Sequence, residues 1–188
     1  MTSSQHPGGS PKRVLRTYFH AKDENRPHLL SEVFSESVVL EMIVRTGTIS
    51  FPPVTHGLAA VTDVLVRRFA QNFENVYSFY LEEPPSVAPG FSCDWLVGMS
   101  EKSGGAVRVG CGRYDWRFQQ EAPCLAERLV ITIEAMPALD PQALPSVLAW
   151  LKGLPYPWCP ASRVVASAPA IDALEPVLRY VGRDGAGA

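Results

Sequence analysis

The side chains best suited to chemistry are a carboxylate and a tyrosine in two successive apolar segments. Asp94 belongs to residues 91–99, and Tyr114 belongs to residues 105–118. A hairpin turn centred on Gly104 sets Asp94 opposite Tyr114 on one face of a sheet. A carboxyl group buried beside aromatic rings is suited to general acid or base catalysis, because burial favours its neutral form. The alternative is a structural carboxylate, either solvated at a strand end or hydrogen-bonded to Tyr114.

Tyr18 and His56 are further candidates for proton transfer. Tyr18 lies on the apolar stripe of an N-terminal helix, where its hydroxyl could donate to a ligand or be satisfied within the core. His56 precedes a later helix, so it could shuttle protons or cap the free N–H groups of that helix. Trp116, two residues beyond Tyr114, is expected either to line a cavity or to fill it.

Hydrophobic periodicity predicts helices in the N-terminal half and an antiparallel meander after them. The predicted helices span residues 11–23, 27–34 and 55–70, the first of them capped by Ser10. The predicted strands span residues 37–46, 48–51, 73–82, 91–99, 105–118 and 125–136. The segment before the first helix, residues 1–10, is polar and contains glycine and proline, so we expect it to be disordered.

Both faces of the predicted meander are largely apolar. With a second turn near Glu121, Tyr114 is opposite Leu129, and one face carries Asp94, Leu96, Tyr114, Trp116, Leu129, Ile131 and Ile133. The other face carries Trp95, Val97, Met99, Val109, Cys111, Val130 and Thr132. One face can pack on the three helices. The other needs a cover, which a second subunit or the C-terminal segment could supply.

Residues 137–188 are predicted to form a helical extension packed on the core. Helical spacing recurs in residues 140–153 and 172–181, and the proline-rich stretch between them is too aromatic for a free linker. About fifty residues rarely hold a hydrophobic core alone, so an appendage is expected instead of a second domain.

Composition excludes several functions. The net charge of -2 argues against nucleic-acid binding, because a protein needs a dense basic face to bind phosphates. We expect a cytoplasmic protein, because no apolar run has the length of a membrane span and the first residues lack the apolar core of a signal peptide. Four cysteines without metal-ligand spacing, and the absence of nucleotide-binding motifs, predict neither a metal nor another cofactor.

Three segments resemble the NTF2-like superfamily, and in particular its SnoaL-like members. They are HLLSEVFSESVVLEM at residues 28–42, THGLAAVTDVLVRRF at residues 55–69 and RYDWRF at residues 113–118. The resemblance covers residues 11–136 and implies an α+β cone, in which a curved, mixed but mostly antiparallel sheet carries three helices on its concave face. It also implies an apolar pocket for a small molecule and a homodimer formed through the sheet.

The same resemblance allows a comparison with ketosteroid isomerases, which use a carboxylate base and two hydroxyl-type donors. Tyr18 matches one donor and Tyr114 stands where the other would be, whereas Met42 occupies the position of the base. We therefore expect Tyr114, Trp116, Met42 and Leu96 to line a ligand pocket, with Asp94, Tyr18 and His56 as the candidate catalytic groups. The function expected is binding of a small apolar carbonyl or polyketide-like ligand, with catalysis left open. The alternative is a non-catalytic or assembly module whose pocket is filled by Trp150, Tyr156 and Trp158 of the extension.

Overall fold

The structure, a computed structural model, describes residues 10–183, so the predicted disorder of residues 1–9 lies outside the described part of the chain. Helix α1, Pro11–Asp23, begins where the Ser10 side chain accepts a hydrogen bond from the Arg13 N–H. Its apolar stripe is buried, as the helical spacing of Val14, Leu15, Tyr18 and Phe19 predicts. A short 3₁₀ helix, Pro27–Glu32, leads into the sheet.

Between residues 10 and 183, seven strands form one curved, open sheet. They are β1 Phe34–Val44, β2 Val54–His56, β3 Phe73–Tyr80, β4 Gly90–Glu101, β5 Val107–Phe118, β6 Ala126–Ala135 and β7 Ala138–Leu139. Their order is β2-β1-β6-β5-β4-β3, with β7 added to β5. Only β1 and β6 run parallel, so the sheet is mixed and mostly antiparallel, as predicted.

The segment between β1 and the next helix differs from the prediction. Residues 48–51 form a loop and not a strand, and the short return strand is β2, three residues later. The helix begins at Leu58 and not near Thr55, because Gly57 has a φ of 85° that breaks the helical geometry. It runs as α2 Leu58–Thr62, a π-helical turn Asp63–Arg67, and α3 Arg68–Asn72.

The β4–β5 register is shifted by one residue from the predicted one. Asp94 is opposite Arg113, and Tyr114 is opposite Cys93. Because neighbouring residues of a strand point to opposite faces, the shift turns Asp94 and Leu96 away from Tyr114. The β5–β6 register is shifted by two residues, with Tyr114 opposite Ile131, and this leaves the predicted face unchanged.

The concave face of the sheet holds the larger core. It packs on α1 and on the α2–α3 helix through a cluster of buried aromatic and aliphatic side chains that includes Tyr18, Phe34, Trp95, Tyr114 and Trp116. Rings in this cluster contact one another edge to face or stacked. These side chains fill most of the space between the concave face and the helices.

The outer face of β3, β4 and β5 is covered by the C-terminal extension. Helices α4 Leu144–Lys152, α5 Ala161–Ala166 and α6 Glu175–Gly182 share a second buried cluster with Phe79, Leu96 and Cys111. Helix α4 lies so close to β4 that a Cβ added at Gly98 would stand 2.3 Å from Leu151 Cδ1. The extension therefore supplies the cover that this apolar face requires. No helix within residues 10–183 is long and apolar enough to cross a bilayer.

Candidate functional site

A small cavity opens between the concave face of the sheet and the helices. Its volume is about 50 Å³. An apolar cavity that holds benzene measures about 150 Å³, so this one, as it stands, accommodates a few atoms and not a whole ring. Its walls are almost entirely apolar: Met42, Ile49, Phe51, Leu65, Phe69, Trp95, Val97, Met99, Ile131, Ile133 and Met136. Three polar side chains interrupt them, namely Tyr18, Lys22 and Tyr114.

Tyr18 is the most unusual of these groups. Its side chain is 0% exposed, and its hydroxyl, which interacts with the Tyr114 hydroxyl, donates no hydrogen bond within residues 10–183. The Tyr114 ring lies beside it, edge to face, with 6.1 Å between the ring centroids. Burial raises the pKa of Tyr18, the negative charge of Asp23 adds to this effect, and the interaction with the Tyr114 hydroxyl opposes it. Burial likewise raises the pKa of Tyr114, so both hydroxyls remain protonated and able to donate at neutral pH.

Met42 and Tyr114 line the cavity, whereas Trp116 and Leu96 do not. Trp116 is buried in the core beside the cavity, stacked on Phe34 with 5.9 Å between ring centroids and on Phe118 with 6.1 Å. Of the two roles expected for Trp116, the structure thus gives it that of filling the interior. Leu96 faces the extension, because of the one-residue shift in register.

Asp94 does not meet Tyr18 or Tyr114; the predicted pairing is wrong. On the outer face, its carboxylate accepts hydrogen bonds from Arg183 Nη2 at 2.6 Å and from the Tyr180 hydroxyl at 3.1 Å. Arg113, the residue opposite it, contributes a longer ion pair of 3.6 Å. Asp94 thus ties the end of α6 to the sheet.

Replacing Asp94 by asparagine is therefore expected to loosen the extension and not to change the cavity. The loss of charge-assisted bonds to partly exposed partners should lower the free energy of unfolding by about 1–2 kcal/mol. Hydrogen exchange should quicken first in α6, while exchange around Tyr18 stays unchanged. Equal quickening in α1 would contradict this assignment.

His56 lies apart from the cavity. It is exposed on β2, opposite Val39 at the edge of the sheet. It is not a residue of the helix that follows, since Gly57 separates the two. The structure thus brings together Tyr18, Tyr114 and Met42 among the predicted site residues, and leaves Asp94, His56, Leu96 and Trp116 outside.

A buried polar cluster that the sequence did not predict lies at the cavity wall. Lys22 Nζ donates to Asp23 Oδ1 and, at 2.8 Å, to Ser78 Oγ. Ser78 donates to Asp23 through its hydroxyl at 2.9 Å and its main-chain N–H at 3.0 Å. The Lys22 and Asp23 side chains are only 8% and 7% exposed. The signal was helical spacing: Lys22 lies four residues after Tyr18, on the same face of α1.

Lys22 also braces the cavity wall. Its ammonium group lies 4.9 Å from the centroid of the Phe69 ring, a cation–π contact. Two of its three N–H groups are used by Asp23 and Ser78, which leaves one N–H on a residue that lines the cavity.

The aromatic residues of the extension do not fill the cavity. Trp150 is buried on the outer face, and Tyr156 is half exposed against Phe79. Trp158 stacks on Tyr80 at the edge of β3, with 5.1 Å between ring centroids. None of the three lines the cavity, so the alternative of a tail-filled pocket has no support in this arrangement.

Comparison with solved structures finds this fold in other proteins. A protein of Rhodopseudomonas palustris, described as a candidate isomerase, has a TM-score of 0.54 and 14% identity over 65% of this chain and 87% of its own. An NTF2-like superfamily protein of Salmonella enterica has a TM-score of 0.52 and 15% identity over 66% and 88%. A protein of Catenulispora acidiphila with a ketosteroid isomerase-like fold, solved with trimethylamine, has a TM-score of 0.51 and 12% identity over 65% and 85%.

The predicted NTF2-like fold is thus confirmed. Identities this low show the fold alone and do not transfer an activity. No family model and no curated protein matches the sequence.

Proposed function

We propose that this protein binds a small, mostly apolar molecule with one acceptor oxygen, such as a ketone. The observation that carries the proposal is the Tyr18 hydroxyl, which is buried, belongs to a residue that lines the cavity, and donates no hydrogen bond within the described chain. A buried hydroxyl without a partner costs about 1–3 kcal/mol. An acceptor oxygen supplied by a ligand would offset that cost.

The polar groups around the cavity require the ligand to be the acceptor. Tyr18 and Trp95 each present a buried donor without a partner, and Lys22 has a third N–H. The nearby carboxylate of Asp23 already accepts bonds from Lys22 and from Ser78. Donors therefore outnumber free acceptors, which suits a carbonyl or ether oxygen. The remaining apolar walls suit a hydrocarbon body.

Binding is better supported than catalysis. Proton transfer next to a carbonyl needs a base within hydrogen-bonding reach of the carbon that loses its proton. No carboxylate or histidine is among the described residues that line the cavity, and Met42 stands where the isomerase resemblance places the base. Acid–base catalysis on a small carbonyl or polyketide-like compound is thus the second candidate, supported by the tyrosine pair alone.

Tyr18→Phe should raise the stability of the ligand-free protein and weaken ligand binding. The change removes a buried hydroxyl whose proton has no acceptor within the described residues, so we expect the free energy of unfolding to rise by about 1 kcal/mol. Tyr80→Phe is the matched control: its equally buried hydroxyl donates to the Leu15 carbonyl at 3.0 Å, so its loss should lower stability by about 1 kcal/mol. Urea denaturation of both variants measures the free energy of unfolding, which should rise in Tyr18→Phe and fall in Tyr80→Phe.

The ligand itself can be sought by native mass spectrometry of the purified protein, followed by titration with ketones. A ketone that binds wild type and Tyr80→Phe alike, and Tyr18→Phe at least fivefold more weakly, would support the proposal. Equal affinity of wild type and Tyr18→Phe would refute the role given to the hydroxyl.

A further inference from the structure

A second hollow adjoins the cavity. It is a surface groove of about 300 Å³, lined by Ile49, Ser50, Phe51, Pro52, Val64, Arg68, Phe69, Asn72 and Phe73. Ile49, Phe51 and Phe69 line the cavity as well as the groove. These three half-buried side chains, which we call the partition, are all that the two hollows share.

The partition is made of side chains on a weakly held segment. Within residues 10–183, no hydrogen bond holds the main chain of residues 49–51. The segment is anchored on either side, where Thr48 Oγ1 donates to the Met136 carbonyl at 2.7 Å and the Met42 N–H donates to the Pro53 carbonyl at 2.9 Å. Side-chain rotation at Ile49 and Phe51 therefore breaks no hydrogen bond and leaves both anchors in place.

The groove has the chemistry of a hydrocarbon site. Pro52, Val64 and Phe73 give it apolar surface. Its one charged side chain, Arg68, is paired with Asp63 at 2.6 Å, and the Asn72 amide donates to the Arg68 carbonyl at 3.0 Å. Neither group calls for an ionic ligand.

We infer that the cavity and the groove are two parts of one elongated site, and that the ligand is a long, uncharged molecule with its oxygen in the cavity and its chain in the groove. The inference rests on the proposed function. Alone, the cavity is smaller than the site of a benzene molecule, whereas with the groove it reaches the size of ligand pockets, about 300–1,000 Å³. The chain passes between Phe69 and the two partition residues of the loop.

The test is a ladder of methyl ketones from 2-butanone to 2-undecanone, titrated against the full-length protein by isothermal calorimetry. Each CH₂ that moves from water into the groove should lower the dissociation constant about fourfold. The affinity should keep rising for ketones longer than the length that fills the cavity. A site confined to the cavity gives affinities that stop rising after the shortest ketones.

Two tryptophan substitutions on α3 locate the chain. Asn72→Trp places a ring in the groove and should weaken the longest ketone at least tenfold while leaving 2-butanone within twofold. Gln71→Trp is the matched control, since Gln71 is exposed on the same helix but is not part of the groove. The affinities of Gln71→Trp for the whole series of ketones should equal those of the wild type.

The outcomes separate the two proposals. Ketones that bind with affinities independent of length, or a ladder that Asn72→Trp leaves unchanged, overturn the elongated site and leave the cavity proposal standing. If no ketone of any length binds and native mass spectrometry finds no ligand, both proposals fall.

Discussion

Gly112→Ala is expected to destabilise the protein by on the order of 3 kcal/mol or more, which places it among the most damaging single substitutions. A Cβ at this position would stand 1.9 Å from the Thr132 carbonyl oxygen and 2.9 Å from Cζ2 of Trp95. The first of these atoms belongs to the main chain of β6 and cannot turn aside. The strands would have to separate at the point where β5 and β6 meet in an irregular register.

The control for this prediction is Gly47→Ala. Nothing lies within 4 Å of a Cβ added at Gly47, so its stability should stay within about 0.5 kcal/mol of the wild type. Guanidinium denaturation of the three proteins measures the difference, and the indole fluorescence of Trp95 should change in Gly112→Ala because the ring is displaced. Similar stabilities for both variants would show that β5 and β6 can separate at little cost.

The fold could be predicted because its signals are long and repeated. The sequence of helix α1 shows an apolar stripe at helical spacing and a capping residue, Ser10, just before its first residue. The structure contains both features as predicted. The apolar strands likewise need a sheet with two covered faces. Such patterns extend over ten or more residues, so an error at one position does not alter the result.

The register could not be predicted, because it depends on the length of one turn. The β4–β5 connection has five residues, Lys102 to Ala106, with positive φ at both Gly104 and Gly105. The pairing of Ser100 with Val107 places the centre of the hairpin half a residue before Gly104. Moving the centre of the turn by half a residue shifts the pairing of the two strands by one residue. A shift of one residue moves every side chain of a strand to the opposite face relative to its partner strand. For this reason Asp94, the predicted acid, lies on the outer face of the sheet and not beside Tyr114.

The polar side of the site could not be predicted for a different reason. The partners of Lys22 are its neighbour Asp23 and the distant Ser78, which lies on β3. A lysine near the end of a helix is ordinarily solvated and favoured by the helix dipole, so its helical spacing from Tyr18 was not enough to predict its burial. Only the packing of β3 against α1 closes the cluster.

Lys22→Met should lower the free energy of unfolding by about 3–5 kcal/mol, the cost of leaving a buried charge without its partner. Methionine keeps an unbranched side chain of similar length but removes the ammonium group that lies over the Phe69 ring and faces the Asp23 carboxylate. Asp23→Asn should be similarly costly, since it leaves the ammonium beside a neutral amide. Lys12→Met is the control on the same helix: Lys12 pairs with Glu83 at the surface, so its loss should cost less than about 1 kcal/mol.

The double variant Lys22→Met/Asp23→Asn decides whether the charges or the packing carry this effect. The asparagine amide can accept from the Ser78 N–H and donate to the Ser78 hydroxyl, which leaves no buried charge and few unsatisfied groups. We therefore expect the double variant to be more stable than either single variant, with a coupling energy of about 2–3 kcal/mol. Additive losses would mean that the ion pair is not a closed unit. In that case Lys22 would be held mainly by its contact with the Phe69 ring, and the cluster would not fix the position of the ammonium group at the cavity wall.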